Sequence, residues 1–397
     1  MGHPQNDPSL QSPSPDHSNG TLRATGYFDH PLRIGTILGS FALLCVPLAV
    51  LQIFVVSSTA HAIAFVIYAV LLGATHFVVT LTIYFNSRNL RYFASSASNI
   101  GIYFVVPITL FSAFFAIGFF GLHEPTNASS GFLVYLFWFT FLVKGADYFH
   151  VVRQSFGVLQ LFKAHSRCAF PTWMRSADNY FFLAMAGLQQ LTFLDGMRGG
   201  TFTFTLSMPA IMLMTLAGLS FAGMLAGFII AGRARERAGR LWIPLTYFLF
   251  QGASACLPVL RSELYGVSLA MHYVEYHLII FPRIFSVPAD PSSKVDRAFA
   301  RIRRHTFVFY VILVLLACFA ARDMLWPLVS EELGSSRALW LLFNLFNGVF
   351  VTHYFIDAFI WKFSSPYYRA SIGPLYSPSA HSGTSTIHAS AREAAPA

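Results

Sequence analysis

Residues 338–363 read ALWLLFNLFNGVFVTHYFIDAFIWKF. Until its last third the run looks built for lipid: it is long, apolar and rich in Phe and Leu. A helix needs about 20 such residues to cross the hydrocarbon core of a bilayer. Yet His353 and Asp357 interrupt it one turn apart, on a single helix face. Ionisable groups inside a span are costly, and they face the bundle interior or a pathway more often than lipid.

The rest of the chain has the same character. Of 397 residues 55% are hydrophobic and 11% charged, with 42 Phe, whereas a soluble domain carries about 25% charged residues. Ten apolar runs stand out, at roughly 34–56, 61–85, 100–121, 132–162, 179–194, 204–231, 241–260, 264–281, 306–327 and 338–362. The fifth and eighth are short enough to be tilted or re-entrant. Arg and Lys collect in every second loop: Arg88 and Arg91; Lys163, Arg167 and Arg175; Arg233 to Arg240; Arg283 to Arg304. That alternation follows the positive-inside rule. It predicts an all-α polytopic transmembrane bundle of about ten spans (eight to ten), with both termini cytoplasmic, in the cell inner membrane.

Residues 1–31 and 364–397 are rich in Ser, Pro, Asn and Gly and read as disordered tails around a transmembrane domain at 32–363. The net charge of +9 sits in short loops, where it faces anionic membrane lipid; no basic domain exists to hold nucleic acid. The four cysteines form no CxxC or zinc-ribbon spacing.

Histidines recur inside four runs: His76 in the second, His150 in the fourth, His272 and His277 in the eighth, and His353 in the tenth. All four runs cross in the same direction. His76, His272 and His353 each stand nine residues before the inner end of their run, and His150 twelve before. At 1.5 Å per residue, nine residues are roughly 13 Å. Imidazoles from distant parts of the chain therefore share one depth, which a packing role for each would not require. Imidazole binds Fe, Cu, Zn and Ni.

Carboxylates accompany them. Asp357 follows His353 by four residues, Glu275 follows His272 by three, and Asp147 precedes His150 by three. Each is placed to be a ligand or to hold the second imidazole nitrogen; Asp357 is alternatively a salt-bridge partner for Lys144 or Arg153. His277 follows His272 by five residues and points elsewhere on the helix, so only one of the two belongs to the shared face. Arg153 and Gln154, one turn inward of His150, are placed to orient a polar substrate head or an oxygen species, with Arg153 alternatively snorkelling to the interface.

Four histidines with carboxylates beside three of them suit non-haem Fe(II), mononuclear or dinuclear, with open positions for dioxygen and for a hydrophobic small-molecule substrate arriving from lipid. The clustered histidine boxes of membrane desaturases are absent, as are HExxH, a Walker loop and GxSxG. The arrangement resembles the Brp/Blh-type bacterial carotenoid dioxygenases, all-helical membrane proteins whose iron is held by single histidines on separate spans. The resemblance implies ligand roles for His76, His150, His272 and His353. The pieces HVVRQSFG (150–157), HYVEY (272–276) and HYFIDAFIWK (353–362) also resemble stretches of other bacterial polytopic membrane proteins, in which glutamine is expected at the position of Glu275. The expected function is a membrane iron-dependent oxygenase or oxidase. A proton-coupled carrier using the same His and acidic residues, or a structural subunit, remains open at this point.

Overall fold

In the computed structural model the described residues are 31–54, 72–73, 75–120, 130–197, 206–233, 240–261, 264–285, 292–304, 337–361, 365–371 and 376. Among them the fold is helical and contains no strand. The helices are α1 Pro31–Ser40, α2 Val46–Phe54, α3 Thr75–Thr80, α4 Ser87–Phe93, α5 Ala97–Ile100, α6 Val106–Phe120, α7 Ser130–Ser166, α8 Met174–Met197, α9 Met208–Arg233, α10 Trp242–Leu260, α11 Tyr265–Phe285, α12 Lys294–Arg304, α13 Arg337–Ile360 and α14 Pro366–Ser371. Single π-turns join α1 to α2 and α5 to α6, so each pair runs on without a break, and a 3₁₀ turn, Leu81–Phe85, extends α3. The expected run at 306–327, residues 61–71 of the run at 61–85 and nearly all of the N-terminal tail lie outside the described residues.

Three helical stretches are long and apolar enough to cross a membrane: Ala97–Phe119, Met208–Arg233 and Trp242–Leu260. Their outward faces agree with that. Met208, Met212 and Leu219 on α9 and Ile108 on α6 are each more than 60% exposed, a surface suited to lipid rather than to water. The helices α7, α11 and α13 are 37, 21 and 24 residues long; they carry buried His, Asp and Glu, which dilute their apolar character. The two runs expected to be short are full helices, α8 with 24 residues and α11 with 21.

Close packing holds the bundle where lipid offers no hydrophobic drive between helices. Helix α13 lies along α6, α9 along α8, and α8 along α7. At the α6–α13 crossing a Cβ on Gly118 would stand 2.9 Å from the Asn344 Cβ and 3.1 Å from the Leu341 Cα. Polar bonds add register. Pro258 sits inside α10 and lacks the N–H that would bond the Ser254 carbonyl; the Ser268 hydroxyl of α11 donates to that carbonyl instead, at 2.5 Å. Gln189 and Thr192 of α8 donate to the neighbouring carbonyls of Ala255 (2.8 Å) and Val259 (3.1 Å). Backbone groups freed by a proline are thus satisfied across helices, as a dry environment demands.

The C-terminal tail expected from 364 onward is structured at its start, because its tyrosines find partners. In α14, Tyr367 stacks on Tyr92 with ring centres 3.7 Å apart, and the Tyr368 hydroxyl donates to that of Tyr103 at 2.7 Å. Tyr376 is buried, and its hydroxyl donates to the Ile279 carbonyl.

Gly118→Leu forces a side chain into the backbone of α13 and is expected to cost about 1–3 kcal/mol, as overpacking does. Gly218→Ala, at a position with nothing within 4 Å of the added carbon, is expected to be neutral. Thermal melts followed by fluorescence-detected size exclusion separate the two.

Candidate metal centre

Four helices deliver one imidazole each to a common point: His76 from α3, His150 from α7, His272 from α11 and His353 from α13. One ring nitrogen or other ligand atom of each lies within 4.8 Å of those of the other three, and every one of the four side chains is buried. The Nε2 atoms of His76 and His272 face each other at 3.0 Å. Two cis ligands with metal–nitrogen bonds of about 2.1 Å stand about 3.0 Å apart.

The ring centres describe a quadrilateral. Its sides are 4.6 Å (His76–His272), 4.9 Å (His272–His150), 5.0 Å (His150–His353) and 4.4 Å (His353–His76), and the His76–His150 diagonal is 6.5 Å. A bond of about 2.1 Å puts each ring centre about 3.2 Å from an ion, so a square has sides of about 4.6 Å and diagonals of about 6.5 Å, while a tetrahedron makes every pair about 5.3 Å apart. The observed unequal distances match the square. Imidazole sets of this kind suit zinc, copper, iron and nickel alike.

Four further atoms bear on the fit. His76 Nδ1, His150 Nε2, His272 Nδ1 and His353 Nε2 are buried and have no hydrogen-bond partner among the described residues. An unsatisfied buried polar atom costs about 1–3 kcal/mol. At His150 and His353 the unpartnered atom is Nε2, where a cation offsets that cost; together with the facing Nε2 atoms of His76 and His272, this donor set fits a metal ion.

A tier of polar side chains lies one turn further along. His353 Nδ1 is 2.7 Å from Thr80 Oγ1. Thr80 Oγ1 in turn meets the Tyr276 hydroxyl, which donates to Asp357 Oδ1 at 3.2 Å. Proton donation from His353 Nδ1 to Thr80 leaves the His353 Nε2 lone pair for a ligand, the arrangement by which outer partners fix a metal-bound imidazole. Asp357 Oδ2 returns to the centre, 3.6 Å from His353 Nε2 and 3.9 Å from His150 Nε2. Asp357 therefore flanks the square along its His150–His353 edge. Aromatic rings wall the centre: Tyr276 lies edge-on to His76 at 3.9 Å, Phe77 sits 5.0 Å from His353, and Tyr354 stacks on His150 at 4.5 Å.

Other expected site residues stand apart. His277 is outside the group: its Nε2 lies 3.2 Å from the Leu72 carbonyl, which only accepts, so that nitrogen carries its proton there and bonds Thr75 at 3.1 Å. Of the pair on α11 it is His272 that reaches the centre. Glu275 turns toward α10, where Tyr247 donates to its Oε1 at 2.6 Å. The Arg153 guanidinium bonds Asn179 and lies over the Phe156 ring at 5.0 Å, exposed and away from the histidines. Gln154 supports the centre indirectly, its amide donating to the His272 carbonyl at 3.4 Å. Lys144, weighed as a partner for Asp357, pairs with Asp147 at 3.3 Å, and Asp147 also accepts from Tyr354 at 2.6 Å.

Thr80 and Tyr276 were not singled out in the sequence, although their spacing marks them. Each site histidine is followed four residues later by a polar side chain: HFVVT at 76, HVVRQ at 150, HYVEY at 272 and HYFID at 353. Four residues is one helical turn, so the second residue sits below the first on the same face.

No protein-family model matches the chain, and no curated protein or solved structure matches it.

Thr80→Val keeps the volume at that position and removes the acceptor for His353 Nδ1. Metal affinity is expected to fall about 10–100-fold, as for other outer partners of metal-bound histidine. His277→Gln is expected to leave affinity near wild type. Competition with a chromogenic chelator measures both.

Proposed function

We propose that this protein is a polytopic inner-membrane oxygenase or oxidase that holds one Fe(II) on His76, His150, His272 and His353 and acts on a hydrophobic, lipid-like small molecule. The observation that carries the reading is the convergence of four buried imidazoles, one from each of four helices, within 4.8 Å of one another. The ten-span topology with cytoplasmic termini belongs to the same proposal and rests on the alternating loop charge. The likeness to the Brp/Blh-type dioxygenases points the same way, as a likeness of architecture.

Each part of the centre has a task in this reading. The four histidines would hold the iron, with dioxygen and substrate meeting beside it. Iron supplies the one-electron chemistry that lets triplet dioxygen react with a closed-shell apolar molecule. Thr80 fixes the His353 ring. Phe77, Tyr276 and Tyr354 exclude water and give an apolar substrate a matching wall. The Tyr276 hydroxyl donates to Asp357 Oδ1 beside the histidines, and in this reading the pair would hold a proton for the reaction. One four-histidine group, with His277 engaged elsewhere, supports a mononuclear centre rather than a dinuclear one.

Metal analysis of detergent-purified protein tests the reading. About one iron per chain is expected, with a rise in melting temperature on Fe(II) addition as mass action requires. His76→Ala and His353→Ala are expected to lose both, while Arg153→Gln keeps them. Iron-loaded protein is expected to consume dioxygen when supplied with membrane-extracted apolar lipids. A metal-free protein whose stability ignores Fe(II) would support the carrier or structural reading, and stoichiometric copper would replace the iron assignment.

A further inference from the structure

The loop between α11 and the run at 306–327, counted in the sequence as a source of positive charge, contains the helix α12 (KVDRAFARIRR). We propose that α12 is an interfacial helix whose cationic stripe binds the phosphate headgroups of anionic phospholipids.

Three observations converge. Lys294, Arg297 and Arg301 are spaced i, i+3 and i+7, so they share one stripe, and all three are exposed. The single acid of the helix is turned the other way. Asp296 is 4% exposed, and its carboxylate accepts from the Ser87 backbone N–H at 2.7 Å and from the Ser87 hydroxyl at 2.9 Å, at the first residue of α4. The one carboxylate of α12 is therefore buried against α4 while the stripe stays exposed. Helix α4 (SRNLRYF) adds Arg88 and Arg91, both exposed, and no acid.

The second contact sets the level of the helix. Phe299 stacks on Phe85 with ring centres 5.5 Å apart and planes 13° apart. Phe85 ends the 3₁₀ turn that continues α3 below His76, so α12 is pinned where an expected span leaves the bilayer. Phe85 is 47% exposed and Val295 39%, which places apolar surface beside the cationic stripe. An acidic protein or a nucleic acid would meet the charge and leave those apolar groups in water. A phospholipid meets both, with phosphate on the stripe and glycerol and upper chain on Phe85 and Val295. Its source is the surrounding leaflet.

Native mass spectrometry of the full chain tests this, after release from nanodiscs of mixed phosphatidylglycerol and phosphatidylcholine. Phosphatidylglycerol is expected to remain bound in preference to phosphatidylcholine. The variant K294Q/R297Q/R301Q is expected to lose retained phosphatidylglycerol at least about fivefold, with iron content unchanged. The charge-keeping variant R297K/R301K and the control R233Q/R240Q, whose arginines lie at the exposed ends of α9 and α10, are expected to retain it. Equal retention by the triple variant, or no preference over phosphatidylcholine, overturns the proposal. So does displacement by millimolar inorganic phosphate, which would mark a soluble-anion site. Because iron content is read on the same samples, loss of the metal centre and failure of the lipid site are seen separately.

Discussion

Four imidazoles buried at one point impose the constraint on which the rest of the structure depends. Imidazole is polar, and its ring nitrogens need partners when water is excluded. In this bundle one nitrogen of each of His76, His150, His272 and His353 lacks such a partner among the described residues, and the other ring nitrogens of His76 and His272, their Nε2 atoms, face each other at 3.0 Å. Rings that served only as interhelical hydrogen-bond bridges would each be satisfied by a neighbouring hydroxyl or carbonyl, as His277 is by Leu72 and Thr75. The contrast with His277 marks the other four as a group that could hold a metal ion. A cation at the shared point would give the His150 and His353 Nε2 atoms a partner and bridge the facing His76 and His272 rings.

The scaffold follows from that demand. Ligands from α3, α7, α11 and α13 meet only if those helices hold their positions. Gly118 lets α6 approach α13 to the limit of carbon contact. Gln189, Thr192 and Ser268 fasten α8 and α11 to the carbonyls around the α10 proline. Through Thr80, Tyr276 and Asp357 the ligand helices are also linked to one another. Rotating any one of them disturbs the ring orientation of its neighbour, which is how a metal site acquires rigidity from its outer partners.

Much of this was legible in the sequence, and the parts that were not have physical reasons. Apolar runs located helices, because spans must be apolar: Ala97–Phe119, Met208–Arg233 and Trp242–Leu260 fall on expected runs. Counting residues along each apolar run singled out His76, His150, His272 and His353, together with His277, because position along a run is a one-dimensional property that counting captures. Facing is not. Glu275 shares a nominal helix face with His272 yet bonds Tyr247, since a three-residue step rotates the side chain far enough to meet a different neighbour. Arg153 was placed near His150 by sequence distance but turns outward to Asn179. Thr80 and Tyr276 escaped notice as ordinary membrane residues until the four-residue step after each histidine was seen in three dimensions. The start of the C-terminal tail read as disordered by composition; Tyr367, Tyr368 and Tyr376 order it through contacts with residues hundreds of positions away in some cases. Long-range partners of that kind leave no local pattern.

X-ray absorption at the metal edge of the purified, iron-loaded protein tests the shared centre most directly. The expected spectrum has a first shell of about four nitrogen scatterers near 2.1 Å with the outer-shell multiple scattering of imidazole rings, reduced in His272→Ala and unaltered in His277→Gln. A first shell of oxygen alone, without imidazole scattering and indifferent to His272→Ala, would contradict it.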